Sequence, residues 1–552
     1  MHARGLAIAL LVIVLGAAAV YWPSPPSSGH AGHVSAAGAA PLGTIRFPAS
    51  GAPEAHAHFL RGVLWLHNFG YEDAIDAFRE AQRVDPGFVM AYWGEALAHS
   101  QPLWFHEDRD AARAVLARLG ASREARTARA QTARERAYLD AVETLFGDGS
   151  LAVRGPAYAE AMARLVAAYP DDDEAQVFHA LAILAVMPSG DASLPYRERA
   201  GALAEGVFAR NQEHPGAAHL ILHAYDHGAL AHKGLGAARV YARIAPAASH
   251  ALHMPAHAFV QLGLWEEAAA TDLKSWEASV AWADARGHSV ALRDFHSLTW
   301  LHYEWTQLGR FTDALTALRW VDDARAVIKP TDEVGGHHYA DSAIGRGSGP
   351  EALRNDRGSM RARYVIESER WFEMRDQSTF DNVDELFALG MSAVKLGDLP
   401  RVSAAIGQLQ EAARQDPGNR EQTAIMLLEL IAMLEFAQGR PTEAFTALRN
   451  AVTLQDGMPK PIGRPYPVKG ADELFGELSL QAGRPAEAVA WFERTLTRTP
   501  NRSRAVLGLA RAAAQAGDVE KSRQAYEQFL ANWRNADPDL PELQEARTAV
   551  GR

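Results

Sequence analysis

No cysteine occurs anywhere in the 552 residues. That absence removes disulfides, thiolate metal sites, a cysteine nucleophile and a lipidated N-terminal cysteine together. Basic runs are also missing. Lys and Arg number 55 against 67 Asp and Glu, a formal net charge of −12, and no stripe of cations could track a phosphate backbone, so no nucleic acid is expected as a partner. Strand-like alternation with Asn-Gly turns does not appear. Nor does a His-Glu-x-x-His motif: His223 and His227 enclose Ala224, Tyr225 and Asp226, leaving no glutamate between paired histidines to activate a water. What remains is a globular composition, 48% hydrophobic and 22% charged. At this length it implies two domains or an extended repeat array.

The first residues, MHARGLAIALLVIVLGAAAVYW, place Arg4 ahead of an apolar run from Leu6 to Val20, with Ala17, Ala18 and Ala19 as a small-residue cleavage site. Residues 1–22 therefore read as a signal peptide. If uncleaved, they read as an N-terminal membrane anchor with Tyr21 and Trp22 at the interface. Either reading puts the chain in the periplasm or outside the cell, or tethers it to the inner membrane. Residues 23–53 follow as a flexible linker, because their Pro/Ser/Gly/Ala-rich start cannot bury enough apolar surface to fold. His30 and His33 belong to that tether.

From Glu54 onward apolar residues recur at three and four, the helical period. Five segments share a glycine followed five positions later by a small residue: Gly263 and Ala268, Gly309 and Ala314, Gly439 and Ala444, Gly483 and Ala488, Gly517 and Ser522. Each reads as a turn between two helices, the glycine capping the first in a left-handed conformation and the small residue letting the second lie close. The last two small residues are 34 positions apart, the tetratricopeptide period. Around Ala488 the packing residues Gly476, Phe492 and Pro500 fall at the expected intervals, as do Gly62, Trp65, Ala74, Phe78, Ala81 and Pro86 near the start.

The chain thus resembles tetratricopeptide repeats. The fold expected is all-α, helical hairpins stacked into a right-handed superhelix or α-solenoid, in one array or two. Residues 54–321 form the N-terminal array with a histidine-rich groove, 322–365 a long loop rich in Gly, Pro and Asp, and 366–552 the C-terminal array. The phrases HFLRGVLWLHNFGYEDA, MAYWGEALAHSQPLWFHEDRDAARAVLARLG, HPGAAHLILHAYDH and IAPAASHALHMPAHAFVQLGLWEE resemble a group of exported bacterial tetratricopeptide-repeat proteins. That resemblance implies a fold and brings no reaction with it.

Histidine is concentrated in two runs, HLILHAYDHGALAH at 219–232 and HALHMPAHAF at 250–259. Counting back from Ala268 makes 249–261 a first helix of its hairpin, and one period earlier starts another at Pro215. First helices line the concave groove of such solenoids. The groove side then carries His219, His223, Asp226 and His227 from one helix and His250, His253 and His257 from the next, with His56, His67 and His296 on the same groove. If the second helix instead starts near Met254, next to Pro255, His250 and His253 belong to a loop.

Lone histidines such as His179, His214 and His288 read as packing residues. Several imidazoles at close range repel on protonation and need another partner. Two neutral imidazoles at i, i+4 with a third from the next helix supply three nitrogens for a transition metal, zinc, copper or nickel, with Asp226 holding a ring N–H or completing the sphere. Glu266 and Glu267 read as charges at the start of the following helix.

Trp104, Phe105, Trp300, Tyr303 and Trp305 read mainly as core, a few of them forming a platform for an extended peptide. His337 and His338 lie in the loop and could fold over the groove. The function expected is a cell-envelope scaffold that binds a protein, peptide or small ligand in its groove, with a histidine-held metal. The alternative is a metal-dependent enzyme using the same cluster.

Overall fold

Helical hairpins follow one another along the computed structural model, which describes residues 41–335, 348–415, 418 and 420–551. The signal or anchor segment 1–22, the linker to residue 40 with His30 and His33, and the loop histidines His337 and His338 lie outside the described residues. Typical hairpins are Pro53–His67 with Tyr71–Val84, Ser249–Gln261 with Trp265–Arg286, Phe295–Gln307 with Phe311–Val327, and Ser503–Ala516 with Val519–Asn532. Among the described residues the only paired strands are Ser100–Gln101 and His106–Glu107, a short antiparallel flap. No helix among them is long and apolar enough to cross a membrane.

The repeated turns take the form their sequence requires. Gly263, Gly309, Gly439, Gly483 and Gly517 all have φ between +67° and +82°, where a side chain costs about 1–2 kcal/mol. The paired small residues Ala268, Ala314, Ala444, Ala488 and Ser522 are buried at the helix crossings. The chain is an all-α, tetratricopeptide-like superhelix.

Two boundaries differ from the sequence reading. Residues 23–53 were expected to be a flexible linker, but Leu42 and Phe47 are buried. The Phe47 ring packs on Phe59, Trp93 and Tyr138 with centroids 5.1–5.5 Å apart. The Pro/Ser/Gly composition of the stretch hides these apolar anchors. Within 322–365 the helix Phe311–Val327 runs past the expected loop start, and a further helix occupies Arg354–Ser368. Its buried residues Met360, Ala362, Tyr364, Val365 and Ile366 are masked in the sequence by the charged stretch before them.

The two arrays also touch directly. Trp265 Nε1 donates to the carbonyl of Asn501 at 2.8 Å, Trp533 Nε1 to that of Gln307 at 3.1 Å, and Gly263 lies against Pro500. Earlier in the chain the superhelix returns on itself. Tyr241 Oη donates to Asn68 Oδ1 at 2.9 Å, and Arg286 pairs with Glu72, Asp73 and Asp76. This return brings the end of the first helix, with Phe69 at φ +56°, against the histidine-bearing helices.

Candidate metal centre

Three successive first helices carry the histidines: Pro215–Tyr225, Ser249–Gln261 and Phe295–Gln307. The first starts at Pro215, whose missing N–H costs nothing there, and is capped by His214 Nδ1 accepting from the Ala217 amide at 3.2 Å. The third is capped by Asp294, which accepts from the Ser297 amide at 3.1 Å. The middle helix is buried at all 13 of its positions. Pro255 sits inside it, so His250 and His253 are helical residues rather than part of a loop.

The side chains converge in two triads. His219 and His223 meet His250, and His253 and His257 meet His296; in each, one nitrogen per residue lies within 4.8 Å of the others. Both triads obey one positional rule: the fifth and ninth residues of one first helix and the second residue of the next. The middle helix serves both, offering His250 backward and His253 and His257 forward. Residues i and i+4 lie on one helical face, and neighbouring first helices lie side by side, so each interface between repeats builds its own three-nitrogen cluster.

Hydrogen bonds set which nitrogen faces inward. The carbonyl of His67 can only accept, so His219 Nδ1, 2.6 Å away, is the donor. Its buried Nε2 then carries the lone pair and has no hydrogen-bond partner; the buried Nε2 of His223 has none either. In the second triad His253 Nδ1 lies 2.7 Å from Asp272 Oδ1 and His257 Nδ1 2.9 Å from Asp226 Oδ2. The other oxygen of Asp226 accepts from Gln261 Nε2 at 2.7 Å.

The two Nε2 atoms face each other at 3.0 Å, and when both Nδ1 atoms donate to the acids behind them each Nε2 presents a lone pair. Two lone pairs at that separation repel unless a proton or cation lies between them. Nitrogens held about 2.0–2.1 Å from one tetrahedral metal are roughly 3.3 Å apart, close to the spacing seen. An imidazole whose far nitrogen is anchored on a carboxylate or carbonyl is how metal-ligating histidines are oriented.

Burial keeps His219 and His223 neutral. It pushes His219 down to about 3 and His223 well below the ordinary histidine value, so both are in the form a metal requires at neutral pH. Behind His253, burial pushes the carboxyls of Asp272 and Glu304 well up, because the interior penalises the charged form.

Apolar rings complete both sites. Phe69 packs on His219, His223 and His250 with centroids 4.3, 5.5 and 5.3 Å away. Trp300 packs on His253, His257 and His296 at 5.1, 4.4 and 5.5 Å. His223, His250, His253, His257 and His296 all line one chamber of about 620 Å³, with Asp226, Asp294 and Arg197 in its wall.

Of the residues expected to bind metal, His219, His223, His250, His253 and His257 sit in the triads, and Asp226 orients His257. His227 does not join them. It follows the end of its helix and lies 3.2 Å from Asp191 Oδ1, because the helix stops at Tyr225 and the i+8 position never forms. His296, placed on the groove by its repeat, is the third member of the second triad. Asp272 and Phe69 carry no sequence signal, since both arrive across tertiary contacts.

A third cluster is closed by its own acid–imidazole contacts. His67 Nε2 and His214 Nε2 lie 2.5 and 3.3 Å from the two oxygens of Glu174. Burial alone would raise Glu174, but the two histidines outweigh it and hold the carboxyl down to about 2. This carboxylate, bridging two imidazoles, bolts the first helix to the groove and fixes the His67 carbonyl that His219 uses.

A tetratricopeptide repeat family model matches residues 474–537, the last two hairpins. Comparison with curated proteins finds no match. Among solved structures, the crystal structure of yeast Tom70 aligns over 90% of this chain and 95% of that one, at 13% identity and a TM-score of 0.28. The matched repeats lie at the C-terminal end of the chain, and the histidine chamber lies outside them.

Proposed function

We propose that the protein is a tetratricopeptide-type binding scaffold of the cell envelope whose N-terminal groove holds transition-metal ions on its two histidine triads. The observation that carries this reading is the pair of Nε2 atoms of His253 and His257, 3.0 Å apart with their Nδ1 atoms bound to acids. Triads of imidazole nitrogens suit zinc, copper and nickel. When bound, such an ion would supply a Lewis acid and one open coordination position facing the chamber. The chain's own groups would orient the imidazoles, and burial keeps His219 and His223 unprotonated. The apolar run from Leu6 to Val20 supports export, and a groove of this type supports a protein or peptide partner.

Binding is favoured over catalysis by the state of the acids. Asp226 accepts from His257 and Gln261, Asp272 accepts from His253, and Asp294 accepts from Ser275 and Ser297. They act as orienting groups, so none stands ready as a general base.

The test is elemental analysis and calorimetric titration with Zn²⁺, Cu²⁺ and Ni²⁺ on protein purified without a histidine tag. Two ions per chain are expected, falling to one in His223→Ala and unchanged in His288→Ala. Absence of stoichiometric uptake in the wild type sinks the reading.

A further inference from the structure

Beside the histidine chamber lies a second cavity of about 420 Å³, lined by residues that include Leu145, Leu181, Gly155, Val186 and Tyr158. Voids larger than a water molecule are few in a packed domain, whereas this volume is that of a small-molecule site. Its polar side chains are few, Ser100, Tyr158 and His106 among apolar neighbours, so an ionic ligand would lose its hydration there without replacement. The small residues Ala152, Gly155, Ala182 and Ala185 hollow it out between two helices, Leu151–Ala168 and Asp173–Ala185.

The two cavities share walls. Phe105 and Met187 line both. Phe105 is the tip of the flap between the strands Ser100–Gln101 and His106–Glu107, left 68% exposed at φ +55°. A bulky residue held in the left-handed region is strained, and an exposed phenylalanine over an apolar hollow adds unburied surface. Both costs fall on the residue that stands between the chambers. On the far side of it the wall holds Arg197 with the histidines, and metal ions there would make that chamber strongly cationic.

We propose that the two cavities form one two-part site for a small amphiphile, with an anionic, metal-coordinating head among the histidines and a hydrocarbon or aromatic tail beneath Phe105. The head group rests on the metal reading above; the tail site rests on the apolar cavity alone. Gly155 offers a way to fill the tail site. A Cβ added there meets only Val186 Cγ1, at 3.4 Å, ordinary contact, and leucine is the better helix former, so Gly155→Leu should fold and occupy the hollow.

The experiment titrates zinc-loaded and metal-free protein with acetohydroxamate and octanohydroxamate, which share a head and differ in tail. Each buried methylene is worth about 0.8 kcal/mol, roughly fourfold in affinity. In zinc-loaded protein octanohydroxamate should bind at least about 30-fold more tightly than acetohydroxamate, a gap that three of its methylenes would supply. Gly155→Leu should reduce that gap to a few-fold while leaving acetohydroxamate unchanged.

Equal affinity for the two, or a gap that survives in Gly155→Leu, overturns the tail site while leaving the metal reading intact. If the protein takes up no zinc, the metal reading fails by itself and the tail site is judged in metal-free protein. Octanohydroxamate binding that Gly155→Leu abolishes would sustain it, and no binding would overturn it.

Discussion

His253 and His257 turn their Nε2 atoms toward each other at 3.0 Å while Asp272 and Asp226 hold their Nδ1 atoms from behind. When both acids accept from Nδ1 the arrangement is one of opposed acceptors, and the helix makes it rigid, since the residues are one turn apart on a helix buried along its whole length. A flexible surface pair would rotate away from such a contact. Here the surrounding packing does not allow it.

The first prediction removes one of those anchors. Asp226→Asn keeps the size of the side chain but takes away the charge that holds His257 Nδ1–H. Loss of such an outer partner typically costs 10- to 100-fold in metal affinity. Competition against a chelator should therefore show zinc affinity down by that factor, with the melting temperature of metal-free protein changed by only a few degrees. An unchanged zinc affinity would mean that Asp226 plays no part in holding an ion.

A second prediction follows from the neutral histidines. Burial holds His219 at about 3 in the folded chain, against about 6.5 when unfolded. A depressed folded value means that the unfolded chain takes up the proton first, so this contribution to stability is present above about pH 6.5 and is lost as the pH falls toward 3. His302, also held to about 3 by burial, adds in the same sense. Glu174, held down to about 2, starts to lose its contribution only below its ordinary value near 4.5. The raised carboxyls of Asp272 and Glu304 act in the opposite sense over the same interval, so the histidine contribution is read as a difference between proteins. Urea unfolding of metal-free protein should show His302→Gln losing less stability than the wild type between pH 6.5 and 5, and identical pH slopes would contradict the neutral, buried state of His302.

Much of this site is legible in the residues. The glycine and small-residue pairs at 263 and 268 and at 309 and 314 set the hairpin register, and that register alone places the helix start at Ser249 and its predecessor at Pro215, where the structure has them. The i, i+4 histidines then share a face by helical geometry. What the register does not carry is the sorting into triads, because that depends on how far each first helix is displaced along its neighbour. Hence His250 joins the histidines behind it, and His253 those ahead. Helix length is equally hidden: the end at Tyr225 removes His227 from the groove. Phe69, Asp272 and the apolar cavity depend on contacts between elements remote in sequence, for which a single chain offers no periodic signal.

The third prediction tests the crossings themselves. Ala488 is fully buried against Phe492, Ala505 and Ala512, and a larger side chain there has no room to expand. Ala488→Leu should cost about 1–3 kcal/mol through overpacking, read from the urea midpoint. Val519, 77% exposed, serves as the comparison, and Val519→Ala should stay within about 0.5 kcal/mol. Equal effects would mean that the second helix of this hairpin does not lie where the repeat puts it.

The last prediction separates backbone strain from contact between the two arrays. Gly263 and Gly483 occupy the same place in their hairpins and have nearly the same φ, +68° and +73°. A Cβ on Gly483 meets nothing within 4 Å, whereas one on Gly263 would lie 2.4 Å from the carbonyl oxygen of Pro500. Gly483→Ala should therefore cost only the left-handed penalty of about 1–2 kcal/mol. Gly263→Ala bears that penalty and also forces the turn away from Pro500, pulling on the Trp265 bond to the Asn501 carbonyl. Its cost should exceed that of Gly483→Ala by at least about 1 kcal/mol, in line with overpacking of a rigid contact. Hydrogen exchange should rise around residues 499–503 in that variant and not in the other. Equal destabilisation, with exchange near Asn501 unchanged, would show that the two arrays do not meet at this turn.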